Sequence, residues 1–373
     1  MAHSLGCRPS QLLDLSASLA PFAPPFALRR LLIQAFLGGE GSPLRDYPDR
    51  RFMALRSVIA RLHGLDPEQV LPGNGAAELF TWAARDAAAL GPSLLPVPGF
   101  ADYRRALECW GGAWHPWPLP LVWGNRFPQP FPWTSTGEEA AVLWITNPHN
   151  PSGQLWSRDS LEPLLRRTEL LIVDEAFLPL CPAGEAQSLL SLVARHPNLV
   201  VIRSLTKLYG LAGLRLAYAL ASPERLRRWA CWRDPWPLNG LAVAAGEALL
   251  GNSAAHTRWC GRVGDWVRRE GAALAEALSA LPGLQPLPSA ANYLLVRGRP
   301  LEESGGGSRS LEPLRLALER RHRILVRDCR SFTGLDDTWL RIALSDRRGR
   351  RRLVRALRLE SATAGGWWTT ASG

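Results

Sequence analysis

The sequence predicts an α/β protein with a mainly parallel sheet in a large domain and a smaller α+β domain after it. Three observations point there. The chain has 373 residues, 46% of them hydrophobic, more than one ordinary domain needs. Through its first two thirds, short apolar runs alternate with helical patterns. Those runs are apolar throughout, as expected of strands buried on both faces.

In chain order, residues 12–41 form a proline-rich arm, read as an extended segment plus one short helix and closing in Gly38-Gly39-Glu40-Gly41-Ser42-Pro43. Residues 51–63 read as a helix with Phe52, Leu55, Val58, Ile59 and Leu62 on one face. Strands are expected at 94–97, 141–146, 170–174, 199–203 and 216–220, with helices between them that include 76–89 and 161–167. A long helix over 254–281 opens the second unit. Strands at 293–296, 324–326 and 340–344 follow, with a helix at 311–322. The arginine run from Arg347 to Arg352 starts a last amphipathic helix with Leu353, Val354, Leu357 and Leu359 as its apolar positions. The stretch Ser304-Gly305-Gly306-Gly307-Ser308 reads as a flexible loop, and 361–373 as a disordered tail. The expected division is an arm at 1–43, a large domain at 44–250 and a small one at 251–360.

Composition removes several function classes. No apolar run reaches the roughly 20 residues that span a bilayer, and the N-terminus lacks a secretory pattern, so a cytoplasmic protein is expected. The six cysteines form no Cys-x-x-Cys pair and no zinc-ligand spacing; no metal site is expected. The net charge of +11 comes from arginines spread along the chain, without a nucleic-acid-binding signature. Of the 44 lysines and arginines, Lys207 is the only lysine. Arginine serves wherever charge alone matters, but it cannot lose a proton and attack an aldehyde.

Four motifs fall just past strand ends, where open α/β sheets bind ligands. Pro72-Gly73-Asn74-Gly75-Ala76-Ala77-Glu78 leads into a helix, whose N-terminus and glycine backbone can face an anion. Asn147-Pro148-His149-Asn150-Pro151-Ser152-Gly153 is a rigid loop able to aim an amide. Asp174-Glu175-Ala176-Phe177 ends an apolar strand with an acid. Ser204-Leu205-Thr206-Lys207 is followed by Gly210, Gly213 and Arg215. Taken singly, each has a plain explanation: Asp174 as a cap, Arg215 as a surface pair, Phe100 as core. Agreement in type, order and spacing has none.

Together these motifs resemble the fold-type-I pyridoxal-phosphate enzymes with the aspartate-aminotransferase fold, in their aminotransferase class I/II branch, over about Asp14 to Leu359. The resemblance implies pyridoxal 5′-phosphate as cofactor and Lys207 as its Schiff-base lysine and proton shuttle. It implies that Asp174 pairs with the pyridine nitrogen, Asn150 with the ring's 3′-oxygen, and that Phe100 stacks on the ring. Gly75, Ala76, Ala77, Ser204, Thr206 and Arg215 would hold the phosphate. Tyr47, in Tyr47-Pro48-Asp49, would reach it from a second subunit of a homodimer. Phe177 stands where many relatives have tyrosine, and His149 where they often have asparagine.

Within that branch the finer resemblance is to threonine-phosphate decarboxylases of cobalamin side-chain assembly. It rests on Leu13 to Ser18, Pro98 to Leu107, Ile324 to Cys329 with Phe332, and Leu340 to Ala343. Ser18 and Ala20 depart from the asparagines usual there. Histidinol-phosphate aminotransferases share the main motifs and are the alternative. Either substrate is a small phosphorylated amino compound needing an arginine fork, for which Arg341 and Arg327 are the candidates. A regulator of this fold would carry a DNA-binding module first; a pattern starting by Asp14 and an intact lysine make an enzyme the expectation.

Overall fold

The structure, a computed structural model, describes residues 3, 5–133, 141–299 and 308–362. Its strands, in chain order, are β1 (Leu13–Leu15), β2 (Val70–Asn74), β3 (Ser93–Val97), β4 (Trp114–Pro118), β5 (Val142–Thr146) and β6 (Leu170–Asp174). They continue with β7 (Leu199–Ser204), β8 (Leu216–Leu220), β9 (Leu284–Pro286), β10 (Tyr293–Gly298), β11 (Ile324–Asp328) and β12 (Trp339–Ala343). A seven-stranded sheet runs β2-β8-β7-β6-β5-β3-β4, and a five-stranded one β1-β11-β12-β10-β9.

The large sheet is mainly parallel, with β8 antiparallel to both of its neighbours. Because both faces are covered, its central strands are apolar up to their C-terminal ends, where Thr146, Asp174, Arg203 and Ser204 stand. Leu143, Ile145, Leu171, Val173 and Val201 enter one core. Their alternates Val142, Trp144, Leu170, Ile172, Val200 and Ile202 enter a second core on the opposite face.

Two strands of this sheet that the periodicity does not reveal, β2 and β4, lie at its edges; the short β9 of the small sheet is likewise not expected. Strands β2 and β4 carry Pro72 and Gly73, and Pro116 and Pro118. Proline lacks the N–H that a central strand must donate, and an edge strand tolerates it.

Other expectations shift locally. Residues 161–167 are not one helix: a short α-turn, Arg158–Leu161, gives way to the 3₁₀ turn Glu162–Arg166, where Pro163 lacks the N–H a helix needs. The helix expected from residue 51 begins at Met53, with Phe52 ahead of it in the left-handed region (φ 51°) and its side chain buried. The arm is, as expected, an extended segment and one helix: β1 pairs in parallel with β11 at the edge of the small sheet, and Phe26–Leu37 is helical. In the last helix, Arg347–Ala362, Leu353 and Leu357 are buried but Leu359 is 51% exposed. Ser361 and Ala362 belong to that helix rather than to a tail. The rest of the expected tail, and the glycine loop apart from Ser308, lie outside the described residues. Among the described residues, no helix is long and apolar enough to cross a membrane, and no group of His, Cys, Asp or Glu could hold a metal.

Candidate active site

The C-terminal ends of β6 and β7 and the start of the helix Ala76–Leu90 meet around a cavity of about 200 Å³. Its lining includes Ala76, Ala77, Phe100, Asn150, Asp174, Ser204, Thr206, Lys207, Arg215 and Arg341. Residues brought together from across the sequence thus surround one space. A larger surface groove of about 580 Å³, lined by Arg50, Arg51 and Arg56 among others, contains neither the lysine nor the acid.

Strand β7 runs directly into the helical turn Leu205–Tyr209. Ser204 caps that turn, its Oγ accepting from the Thr206 N–H at 3.3 Å, and Gly210 ends it at φ 66°. Lys207 is thereby held inside the cavity, its Nζ 5.6 Å from the centre of the Phe177 ring. Burial lowers its pKa to about 8; the Arg341 and Arg215 guanidiniums push the same way, and Asp174 opposes.

Asp174 is the last residue of β6, directly across from Thr146 on β5. Its Oδ1 accepts from the Ala176 N–H at 2.9 Å and its Oδ2 from the Tyr103 hydroxyl at 2.5 Å. Burial raises its pKa to about 6, against the pull of those two donors and of Lys207. Tyr103 and Thr146 escaped the sequence reading. A signal for Tyr103 existed: it stands three residues after Phe100 at a helix start, a spacing that stacks side chains on one face.

At the opposite wall, Gly75 precedes the helix Ala76–Leu90 at φ 75°, and Ala76 and Ala77 in the first turn of that helix line the cavity. The guanidinium of Arg215 packs over Gly75 so closely that a Cβ there would collide with it. Arg215 is itself in the left-handed region, at φ 57°. Gly75 supports this wall from behind without lining the cavity. Phe100 borders the space and packs edge-on against Tyr103 and Phe80.

Arg341, on β12, reaches the cavity from the small sheet. Its Nη1 donates to Asn150 Oδ1 at 2.5 Å and its Nη2 to the Ser16 carbonyl at 3.1 Å. Its Nε is buried without a partner, and burial depresses its pKa. Arg327 faces Arg341 across the β11–β12 ladder but does not line the cavity. It donates to Ser331 Oγ at 2.7 Å, and the two guanidiniums lie 5.6 and 5.8 Å from the Phe332 ring centre. Tyr47 is 81% exposed and packs at a tilt against Trp236, outside the cavity. His149 is buried against Ser152 at 2.6 Å, with a pKa lowered by burial to about 4, so it is neutral.

Comparison with known proteins gives the family. Residues 10–357 match the family of aminotransferases class I and II. The threonine-phosphate decarboxylase of Salmonella typhimurium is 34% identical over 371 residues, covering 96% of this chain and 93% of that protein. The histidinol-phosphate aminotransferase of Symbiobacterium thermophilum is 34% identical over 317 residues, covering 84% and 81%. The crystal structure of the histidinol-phosphate aminotransferase from Clostridium acetobutylicum superposes with a TM-score of 0.78 at 23% identity, covering 93% of this chain and 98% of that one. This last likeness concerns the fold alone.

The residues fit the cofactor of that family. Pyridoxal phosphate needs a buried amine of lowered pKa, a carboxylate for its ring nitrogen and an anion cradle, and the cavity's lining offers all three. On the match along nearly its whole length, the chain belongs to the aminotransferase class I and II family and is a pyridoxal-phosphate enzyme of fold type I, of the decarboxylase and aminotransferase kind.

Proposed function

We propose that this chain removes CO₂ from L-threonine O-3-phosphate, yielding aminopropanol phosphate for cobalamin side-chain assembly. The observation that carries this reading is the 34% identity to a threonine-phosphate decarboxylase along 96% of the chain. The arginine pair supports it. Threonine phosphate bears a carboxylate and a phosphate, and Arg341 and Arg327 stand opposite each other on adjacent strands.

When bound, pyridoxal phosphate supplies an electron sink for the bond broken at Cα. Lys207 would hold it through its amine and serve as the proton carrier to the substrate carbon. Asp174 would pair with the ring nitrogen and keep it protonated. Asn150, its Oδ1 already taken by Arg341, would offer its Nδ2 to the ring's 3′-oxygen, and Phe100 would cover one ring face. The N–H groups at Ala76 and Ala77, with Ser204, Thr206 and Arg215, would hold the phosphate, with Gly75 shaping the turn behind them. The Arg341 guanidinium, with its unpartnered Nε–H, grips and turns the substrate carboxylate. Left buried without a ligand, such a donor costs about 1–3 kcal/mol.

A homodimer completes this reading. Phe26, Ile33, Phe36, Leu37 and Leu44 are exposed apolar residues on the arm helix and the segment after it, near exposed Tyr47. A second copy covering them would bring Tyr47 to its neighbour's phosphate site. The enzyme works in the cytoplasm.

A second reading is favoured by one observation, the 34% identity to a histidinol-phosphate aminotransferase. Offering threonine phosphate, and separately histidinol phosphate with 2-oxoglutarate, distinguishes the two by product mass. CO₂ and aminopropanol phosphate from the first are expected; glutamate from the second pair, without CO₂ from the first, makes the chain an aminotransferase.

A further inference from the structure

Beneath the cavity lies a hydrogen-bond chain that the roles above do not use. The Tyr103 hydroxyl is 2.5 Å from Asp174 Oδ2 and 2.9 Å from Thr146 Oγ1. A phenol has one proton. With that proton given to the carboxylate, the contact to Thr146 requires the threonine hydroxyl to donate to the phenol oxygen. The chain therefore has one direction: Thr146 to Tyr103 to Asp174. Tyr103 is 5% exposed and its ring is fixed on three sides, with centroids 5.0 Å from Phe80, 5.2 Å from Trp144 and 5.6 Å from Phe100. Its hydroxyl cannot swing away without disturbing that packing.

We infer that Tyr103, oriented by Thr146, is a positioning residue that sets how the proton is shared between Asp174 and the ring nitrogen of the bound cofactor. This rests on the reading of Asp174 and Lys207 given above.

A donor to Asp174 stabilises its ionised form, so the proton stays on the ring nitrogen and the ring stays electron-poor. Burial works the other way, raising the proton affinity of Asp174. Without the phenol, burial goes unopposed on that side. The carboxylate then draws the proton toward itself and the ring becomes less positive. Across the conjugated ring, the nitrogen of Lys207 then keeps its own proton to higher pH. The charged groups facing these two are Lys207 and Glu175 for Asp174, and Arg341, Asp174 and Arg215 for Lys207. Glu175 points elsewhere, bonded to Arg203 at 2.8 Å. Exchanging Tyr103 for phenylalanine removes the bond to Asp174, leaves Glu175, Arg341, Arg215 and Lys207 unaltered, and keeps the ring contacts.

The test uses the full chain loaded with pyridoxal phosphate, following the pH midpoint of its visible absorption band and the dissociation constant of the cofactor. Tyr103→Phe is expected to raise the midpoint by about one pH unit, a tenfold change in proton affinity, and to weaken cofactor binding several-fold. Thr146→Val should move the midpoint in the same direction by less, and Thr146→Ser, which keeps the hydroxyl, should restore it. The threonine pair carries the test should Tyr103→Phe not fold. If Tyr103→Phe or Thr146→Val titrates as the unaltered enzyme does, with the band intact, the inference is overturned while the roles of Lys207 and Asp174 stand. A native enzyme with no band that borohydride traps on Lys207 overturns both.

Discussion

The two ends of the cavity differ in how complete they are without a ligand. At the Asp174 end, both carboxylate oxygens have donors, from Ala176 and Tyr103, and the phenol is itself supported by Thr146. At the Arg341 end, a buried guanidinium keeps an unpartnered Nε. The Ser18 hydroxyl, two residues from the carbonyl that Arg341 holds, is also buried without a partner. One end is built in advance; the other leaves donors for something to come. A cofactor that stays bound through every turnover suits the first, and a substrate that arrives and leaves suits the second.

Several substitutions sharpen or break that contrast. The largest effect is expected at the boundary between the ends. Lys207→Arg should abolish both turnover and borohydride trapping of the cofactor, because a guanidinium does not deprotonate. Mass spectrometry that finds the reduced cofactor on another residue would refute the assignment. At the substrate end, Arg341→Lys loses the planar fork. It should cost about 3 kcal/mol of transition-state stabilisation, read as kcat/KM, with the cofactor still retained. Equal loss of cofactor and activity would mean that the two ends are not separate.

At the phosphate wall, Gly75→Ala places a methyl group against Arg215 at a positive φ. Cofactor binding should weaken by about tenfold, since glycine alone adopts that backbone without strain; unchanged retention would remove Gly75 from the cradle. The pH dependence follows from Lys207. Its neutral amine is the form that captures the cofactor, and with a pKa of about 8 that form is a minority at pH 7 and dominant at pH 9. Cofactor capture by the empty protein should therefore quicken about tenfold across that interval; a flat profile would show a lysine already neutral at pH 7. The smallest effect belongs to Tyr47→Phe: in the proposed homodimer it would remove one phosphate hydrogen bond, worth about 1 kcal/mol. A monomer that binds cofactor at full affinity would contradict its role.

Much of the fold was legible because its signals are local. The mostly apolar runs of β5, β6 and β7 announce strands covered on both faces, while the prolines of β2 and β4 hid two strands at the edges of the large sheet. The cavity's lysine, acid and glycine turn were legible for the same reason, each lying just past a strand end beside a recognisable turn. Tyr47 and Arg327 fall outside the cavity within this chain, and nothing local marks that, since exposure depends on the whole surface.

The sequence by itself determined which residues have the chemistry: one lysine, an acid closing a strand, a glycine before a helix, and arginines suited to anions. Tertiary structure alone decided which of them meet. Tyr103 reaches Asp174 across 71 positions and Arg341 reaches Asn150 across 191. Arg327 and Arg341 look equivalent on paper, and they are cross-strand partners. Yet Arg341 alone lines the cavity, donating to both Asn150 and the Ser16 carbonyl, while Arg327 on the neighbouring strand donates to Ser331. Periodicity records what a residue does to its neighbours in the chain; pairing over such distances is set by packing, which no single segment carries.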